Sequence, residues 1–160
     1  MDYKEIIIDM RKIVRSINLE SKRIQKDFGI SIPQLLCLAF LSKEDSYQST
    51  HKQLTEHLNL NSSTVTGIVN RLEKKGLIAR MPKKGDKRIT YIALTSAGYK
   101  IVSDTPNLLQ EKLAENLSKL SSQQITQIKT SLSLLVEVLE IKDVDASPLL
   151  TVEDPIQPAE

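Results

Sequence analysis

Four cations crowd the stretch Pro82-Lys83-Lys84-Gly85-Asp86-Lys87-Arg88. Such a cluster repels itself unless a polyanion meets it. Asp86, two residues before Arg88, is spaced to orient that guanidinium by a charge-assisted hydrogen bond. One arginine at the tip of a hairpin suits the narrow, strongly negative minor groove of DNA. A second group with related chemistry precedes it. Val65, Ile68, Val69 and Leu72 fall at i, i+3, i+4 and i+7, which makes one apolar helix face. At about 100° per residue, the opposite face centres on Ser63, Gly67, Asn70 and Lys74, with Thr64, Thr66 and Arg71 beside it and Ser62 at its start. That face holds hydroxyls, an amide and cations but no acid, and these are the side chains that bond phosphates and base edges. Gly67 costs about 1 kcal/mol against alanine in a helix interior. It is either a neutral surface glycine or a point where the backbone approaches a groove wall.

Other chemistries fare worse. His51 and His57 stand six residues apart, on different sides of a helix, with no clustered acid or thiol, so no metal site is expected. Ser49-x-x-Lys52 matches a serine-hydrolase pattern in form only, because Lys129-Thr130-Ser131 lacks the glycine of its companion motif. No catalytic residue, and no enzyme, is expected. The single cysteine, Cys37, excludes an intrachain disulfide framework and an all-thiolate metal site. It sits in Gln34-Leu35-Leu36-Cys37-Leu38-Ala39-Phe40, an apolar setting that raises a thiol's pKa and makes it inert. No Trp and only five Gly argue against an aromatic stacking platform and a glycine-rich nucleotide cradle. No cofactor is expected.

The elements that must hold these residues are mostly helices. Ile6, Met10, Ile13, Ile17, Ile24 and Phe28 step by 4, 3, 4, 7 and 4, a helix stripe that Gly29 can cap. A second helix starts near Ser31 with Pro33 in its first turn, and its apolar residues run almost all round, which marks it as buried. Thr50-x-x-Gln53 reads as a capping box for a short helix. Asn59-Leu60-Asn61 is a tight connection, and Asn61 is a strong N-cap for the helix that Gly76 ends. Two strands follow, Leu77–Met81 and Ile89–Leu94, around the cationic turn. One helix is expected from Ser96 to about Leu117, with Val102, Leu109, Leu113 and Leu120 inward. Another follows a capping box at Ser121-x-x-Gln124. Its Ile125, Ile128, Leu132, Leu135 and Leu139 step by 3, 4, 3 and 4, a heptad-like seam that suggests helix pairing. From Asp143 the pattern stops, and 143–160 hold five acids, three prolines and no base, an acidic tail.

Charge follows this order. The whole chain of 160 residues has a net charge of only +2. Residues 1–49 carry +1, residues 50–100 carry 10 basic and 3 acidic groups for +7, and residues 101–160 carry 4 basic and 10 acidic groups for −6. The near-neutral total is a cancellation, and the basic middle segment is where a polyanion is expected. A composition of 40% hydrophobic and 26% charged residues is that of an ordinary globular chain. No leader pattern and no membrane span is apparent, so a cytoplasmic protein is expected.

Two short helices joined tightly, then a basic two-stranded ribbon, describe a winged helix-turn-helix. Asp86-x-Arg88-x-x-x-x-x-Leu94-Thr95-x-x-Gly98, preceded by Val69-Asn70-Arg71-Leu72-Glu73-Lys74-Lys75-Gly76-Leu77-Ile78-x-Arg80, resembles the MarR family of bacterial transcription regulators over roughly residues 5–141. The resemblance implies a homodimer whose first and last helices interleave, with the Asn61–Lys75 helix in a major groove and Arg88 in the flanking minor groove. It implies a regulator, commonly a repressor, released from a pseudo-palindromic operator by a small-molecule effector.

The expected architecture is therefore mainly α with a small β-wing. Residues 1–30 form an N-terminal dimerisation helix, 31–95 the DNA-binding domain, 96–142 the C-terminal dimerisation helices and 143–160 the tail. The expected DNA contacts are Ser62, Ser63, Thr64, Thr66, Gly67, Asn70, Arg71 and Lys74 on the helix and Lys83, Lys84, Asp86, Lys87 and Arg88 on the wing. Phe40, Tyr47 and Tyr91 are candidates for an effector pocket. The expected partners are double-stranded DNA, a second copy and an unidentified small molecule, with no membrane. The alternatives are a protein–protein interaction module and a regulator that senses oxidation through Cys37.

Overall fold

The computed structural model describes residues 3–83, 86–105 and 108–144, with the backbone alone described at 83 and 86–89. The isoleucine stripe forms α1 (Lys4–Phe28). Gly29, at φ 67°, closes it by donating its N–H to the Gln25 carbonyl at 3.0 Å. The two ends of the stripe differ: Ile24 is buried, whereas Ile6 and Ile13 are more than half exposed.

Short-range polar rules set the next three helices. Ser31 caps α2 (Ile32–Lys43) in a reciprocal box with Gln34, and Pro33 lies in its first turn. Ile32, Leu35, Cys37, Leu38 and Leu41 are all buried, as an all-round apolar helix requires. Thr50 and Gln53 form the box that opens α3 (His51–Leu58). Asn59 then takes a left-handed conformation at φ 51°, which asparagine tolerates. Asn61 Oδ1 accepts the Thr64 N–H at 2.8 Å and starts α4 (Ser62–Lys74). Helices α2, α3 and α4 pack on one another, and Leu54, Leu58, Val65, Ile68, Val69 and Leu72 are buried there. Gly76, at φ 71°, turns the chain out of α4.

The sheet has three strands, one more than expected. They are β1 (Gln48–Thr50), β2 (Ile78–Lys83) and β3 (Asp86–Leu94), antiparallel in the order β1-β3-β2. Three residues carry no readable alternation, and β1 exists because Gln48, Ser49 and Thr50 pair with Ala93, Ile92 and Tyr91 of β3. The hairpin strands also reach further into the cationic turn than expected. Ile78 pairs with Leu94 and Pro82 with Thr90, and the register shifts before Lys83 meets Asp86. Pro82 is tolerated because β2 is an edge strand.

The single helix expected over 96–117 is two, α5 (Ser96–Asp104) and α6 (Leu109–Leu117). Thr105 is extended, at φ −86° and ψ 126°, and the next residue in the sequence is Pro106. A proline drives the residue before it out of the helical region, and this outweighs the apolar spacing across the break. Leu113, expected inward, is 56% exposed. Helix α7 (Ser122–Val138) follows the Ser121–Gln124 box as expected. The chain divides into two compact units, the first ending at Thr105 and the second beginning at Pro106. No helix among the described residues is long and apolar enough to cross a membrane. Of the acidic tail, 145–160 lie outside the described residues.

Candidate nucleic-acid interface

Helix α4 is built as the sequence requires of a reading helix. Its inner side chains Val65, Ile68, Val69 and Leu72 are no more than 2% exposed. Burying that stripe forces the other face out: Ser62, Ser63, Thr66, Asn70, Arg71 and Lys74 are exposed, and Thr64 and Gly67 are half-buried. The hydroxyls nearest the helix start are engaged locally. Ser63 Oγ donates to Asn61 Oδ1 at 2.7 Å, and Thr66 Oγ1 donates to the Ser62 carbonyl at 2.9 Å. Thr66 Oγ1 also lies within hydrogen-bond distance of His51 Nε2, at 3.0 Å, which links α3 to α4.

Gly67 and Gly98 give opposite readings of a helical glycine. A β-carbon at Gly67 would meet only the end of the Arg71 guanidinium, at an ordinary 3.8 Å. Internal packing therefore does not require Gly67, which fits both a neutral surface glycine and a backbone left open for an external surface. A β-carbon at Gly98 would collide with the Leu77 carbonyl oxygen and the Leu94 side chain. That explains the Leu94-Thr95-x-x-Gly98 motif physically. Thr95 Oγ1 accepts the Gly98 N–H at 3.1 Å and donates to the Gly76 carbonyl at 2.8 Å. The Thr95 N–H donates to the Leu77 carbonyl at 3.1 Å. One residue thus knots together the end of α4, the start of β2 and the start of α5.

The wing is tied to α4 by a residue that sequence reading placed only within a motif. Arg80, on β2, hydrogen-bonds Asn70 Oδ1 at 2.6 Å through Nη2 and makes an ion pair with Glu73 through Nη1. Neither contact is visible in local sequence patterns, because ten residues and a turn separate Asn70 from Arg80. At the tip, Lys84 lies outside the described residues. So do the side chains of Lys83, Asp86, Lys87 and Arg88, and with them the expected Asp86–Arg88 hydrogen bond.

The aromatic candidates are engaged with separate partners. Phe40 stacks on His57 with ring centroids 4.2 Å apart, and Tyr47 meets Tyr99 edge-on at 5.7 Å. Tyr91 pairs with Thr50 and Met81 across the sheet. An open groove of about 560 Å³ lies instead in the second unit, lined by Leu117, Ile125, Ile128, Leu132 and Val136 with Lys129 and Lys142 at its edge. The seam of α7 is open: Ile125 and Ile128 are over a third exposed and Leu132 is over half exposed. Cys37 is fully buried, and burial pushes its thiol up to about 12. The Ser49 hydroxyl hydrogen-bonds Gln53 and Lys52 pairs with Glu56, so the serine–lysine spacing is used for helix capping and a surface pair.

The comparisons with known proteins agree with this architecture. The MarR family model matches residues 30–90. The organic hydroperoxide resistance transcriptional regulator of Bacillus subtilis (strain 168) is 32% identical over 135 residues, spanning 81% of this chain and 85% of that protein. The HTH-type transcriptional regulator PecS of Dickeya dadantii (strain 3937) is 26% identical over 128 residues, spanning 79% and 77%. The fold is shared with the MepR–DNA complex of S. aureus, at a TM-score of 0.61, 24% identity and coverage of 87% of this chain and 99% of that one. It is shared too with Sco3205, a MarR family transcriptional regulator of Streptomyces coelicolor in complex with DNA, at 0.60, 20%, 94% and 96%.

Proposed function

The chain belongs to the MarR family of transcriptional regulators, and from that premise we propose that it works as a homodimer that binds a pseudo-palindromic DNA site and leaves it when a small molecule binds. The observation that carries the DNA reading is α4, whose apolar side is closed to solvent while its acid-free polar side is turned out. Asn70, Arg71 and Lys74, with Ser62, Ser63, Thr64, Thr66 and Gly67, meet the major groove. The hairpin carries Lys83, Lys84, Lys87 and Arg88 to the flanking backbone and minor groove, with Asp86 steering Arg88. A second copy covers the open apolar faces of α1 and α7, which single chains in water do not leave bare. Two reading helices related by that two-fold would sit about 34–36 Å apart, one turn of DNA.

Repression is the proposed outcome of binding, supported by relatives such as the HTH-type transcriptional repressor IacR of Pseudomonas putida, and release by a small molecule is what the family resemblance implies. Phe40, Tyr47 and Tyr91 are the proposed effector contacts. One relative has organic hydroperoxide resistance in its name, but this chain's single thiol is buried and protonated at physiological pH. Burial of the thiol argues against oxidation sensing at Cys37 as the trigger.

The test is a mobility-shift titration on the DNA flanking the gene, at two or more salt concentrations. The logarithm of affinity should fall with the logarithm of salt by about 0.9 per phosphate contacted. Arg88→Ala should weaken binding roughly 5- to 150-fold, the 1–3 kcal/mol of one good groove contact. A flat salt dependence, or full affinity in Arg88→Ala, overturns the wing assignment.

A further inference from the structure

We infer that Arg80 is a positioning residue that decides which base edge Asn70 reads, a deepening that rests on the DNA-binding reading above. The argument starts from donor and acceptor chemistry. A free asparagine amide offers one acceptor and two donors, and it recognises adenine with both, taking the N6 proton on Oδ1 and giving a proton to N7. In this molecule one of the two lone pairs of the acceptor is already taken. Arginine is a donor only, so the Asn70 atom facing Arg80 Nη2 at 2.6 Å must be the carbonyl oxygen. That fixes the amide's orientation and leaves Nδ2, with its two protons, as the free end on the exposed face of α4.

Arg80 is itself held. Glu73 takes its Nη1 in an ion pair, and Glu73 lies one helical turn from Asn70 on the same side of α4. On the strand, Arg80 pairs with Ile92, which is buried. The planar guanidinium therefore spans two anchors on one helix from a backbone fixed by the sheet, and a fork of that shape holds both partners at once where a lysine ammonium cannot. Its charge is met by Glu73 within the protein, so Arg80 is not one of the cations that contact phosphate. Asn70, with Oδ1 turned toward Arg80 and Nδ2 outward, favours an edge that offers acceptors: guanine through O6 and N7, or thymine through O4. Adenine offers Nδ2 only N7, with the N6 donor beside it, and its two-point contact needs Oδ1 turned to the base as well, so adenine is disfavoured at that base pair.

The test is selection from random-sequence DNA duplexes by the full-length wild-type, Asn70→Ala, Arg80→Ala, Arg80→Lys and Glu73→Gln proteins, followed by affinity measurements on the selected and unselected duplexes. Wild type should enrich guanine or thymine at one position per half-site, and Asn70→Ala should lose the preference there alone. Arg80→Ala should admit adenine at that same position, changing the base ratio by about tenfold, while affinity for unselected duplex and its salt dependence stay within about twofold. Arg80→Lys should follow Arg80→Ala. Glu73→Gln, which keeps Arg80 and Asn70 in place, should shift the same position in the same direction by a smaller factor, and it guards against an Arg80→Ala protein that folds poorly. The inference is overturned if wild type prefers adenine at the Asn70 position, or if Arg80 and Asn70 variants alter different positions. A loss of affinity in Arg80→Ala that is equal on all DNA, with a shallower salt dependence, makes Arg80 a phosphate contact and also overturns it. If wild type enriches no sequence, the DNA-binding reading itself fails.

Discussion

Helices α4 and α7 carry the same kind of apolar periodicity and meet opposite fates. In α4, four side chains spaced along one face are closed from water by α2, α3 and β2 of the same chain. In α7, the residues that should form the inner face are exposed by 37–53% at Ile125, Ile128 and Leu132. Period alone says that a face must be covered, and it does not say by which chain. The α4 face is covered in cis because two tight connections, Asn59–Asn61 and Gly76, fold its neighbours back on it. The α7 face has no such neighbour among the described residues, and a second copy is the proposed cover.

The sharpest way to break that contrast is a matched pair of truncations. Leu72→Ala should lower unfolding stability by about 2–5 kcal/mol at any protein concentration. Leu132→Ala should have an effect that grows on dilution, seen in sedimentation as a larger monomer fraction, because its contacts are between copies. A concentration-independent loss at Leu132 would mean that α7 is covered within the chain.

Cys37 extends the test to α2. Its thiol sits at about 12 in the folded protein against a model-compound value of 9.0. Folded chains thus keep a proton that unfolded chains release, so stability is full below pH 9 and falls as pH rises from 9 toward 12. The Cys37→Ala protein should lack that component of the decline in denaturant titrations run at pH 8 and 11. Peroxide should leave DNA affinity unchanged in the wild type and the variant alike.

The smaller effects compare two glycines. Gly98→Ala should destabilise by about 1–3 kcal/mol or more, since the new methyl meets a backbone carbonyl. Gly67→Ala should stabilise by up to about 1 kcal/mol in thermal unfolding while weakening DNA binding. Unchanged DNA affinity in Gly67→Ala would return that position to a neutral surface glycine.

What the sequence disclosed divides along chain distance. The capping boxes at Thr50 and Ser121, the cap at Asn61 and the left-handed glycines were all readable, because each depends on residues within four of one another; the box at Ser31 obeys the same rule, but the sequence reading placed only a helix start there. The fully buried faces of α2 and α4 were readable from their composition. The break before Pro106 carried its signal in one residue, and apolar spacing across it suggested a continuous helix. Strand β1 was not readable, since three residues become a strand only through β3. The Asn70–Arg80–Glu73 link was invisible for the same reason: it depends on where the hairpin lands on α4, and no local pattern encodes that.

The knot at Thr95 has a mechanical consequence. Its hydroxyl and amide bind the carbonyls of Gly76 and Leu77, and the packed Gly98 leaves no slack between α5 and the base of the hairpin. Arg80 then couples the hairpin to α4. Helix α5, the hairpin and α4 behave as one stiff lever, with Thr105 at its far end. A torque applied to α5 would arrive at the exposed face of α4 as rotation of the lever, with little lost to bending on the way.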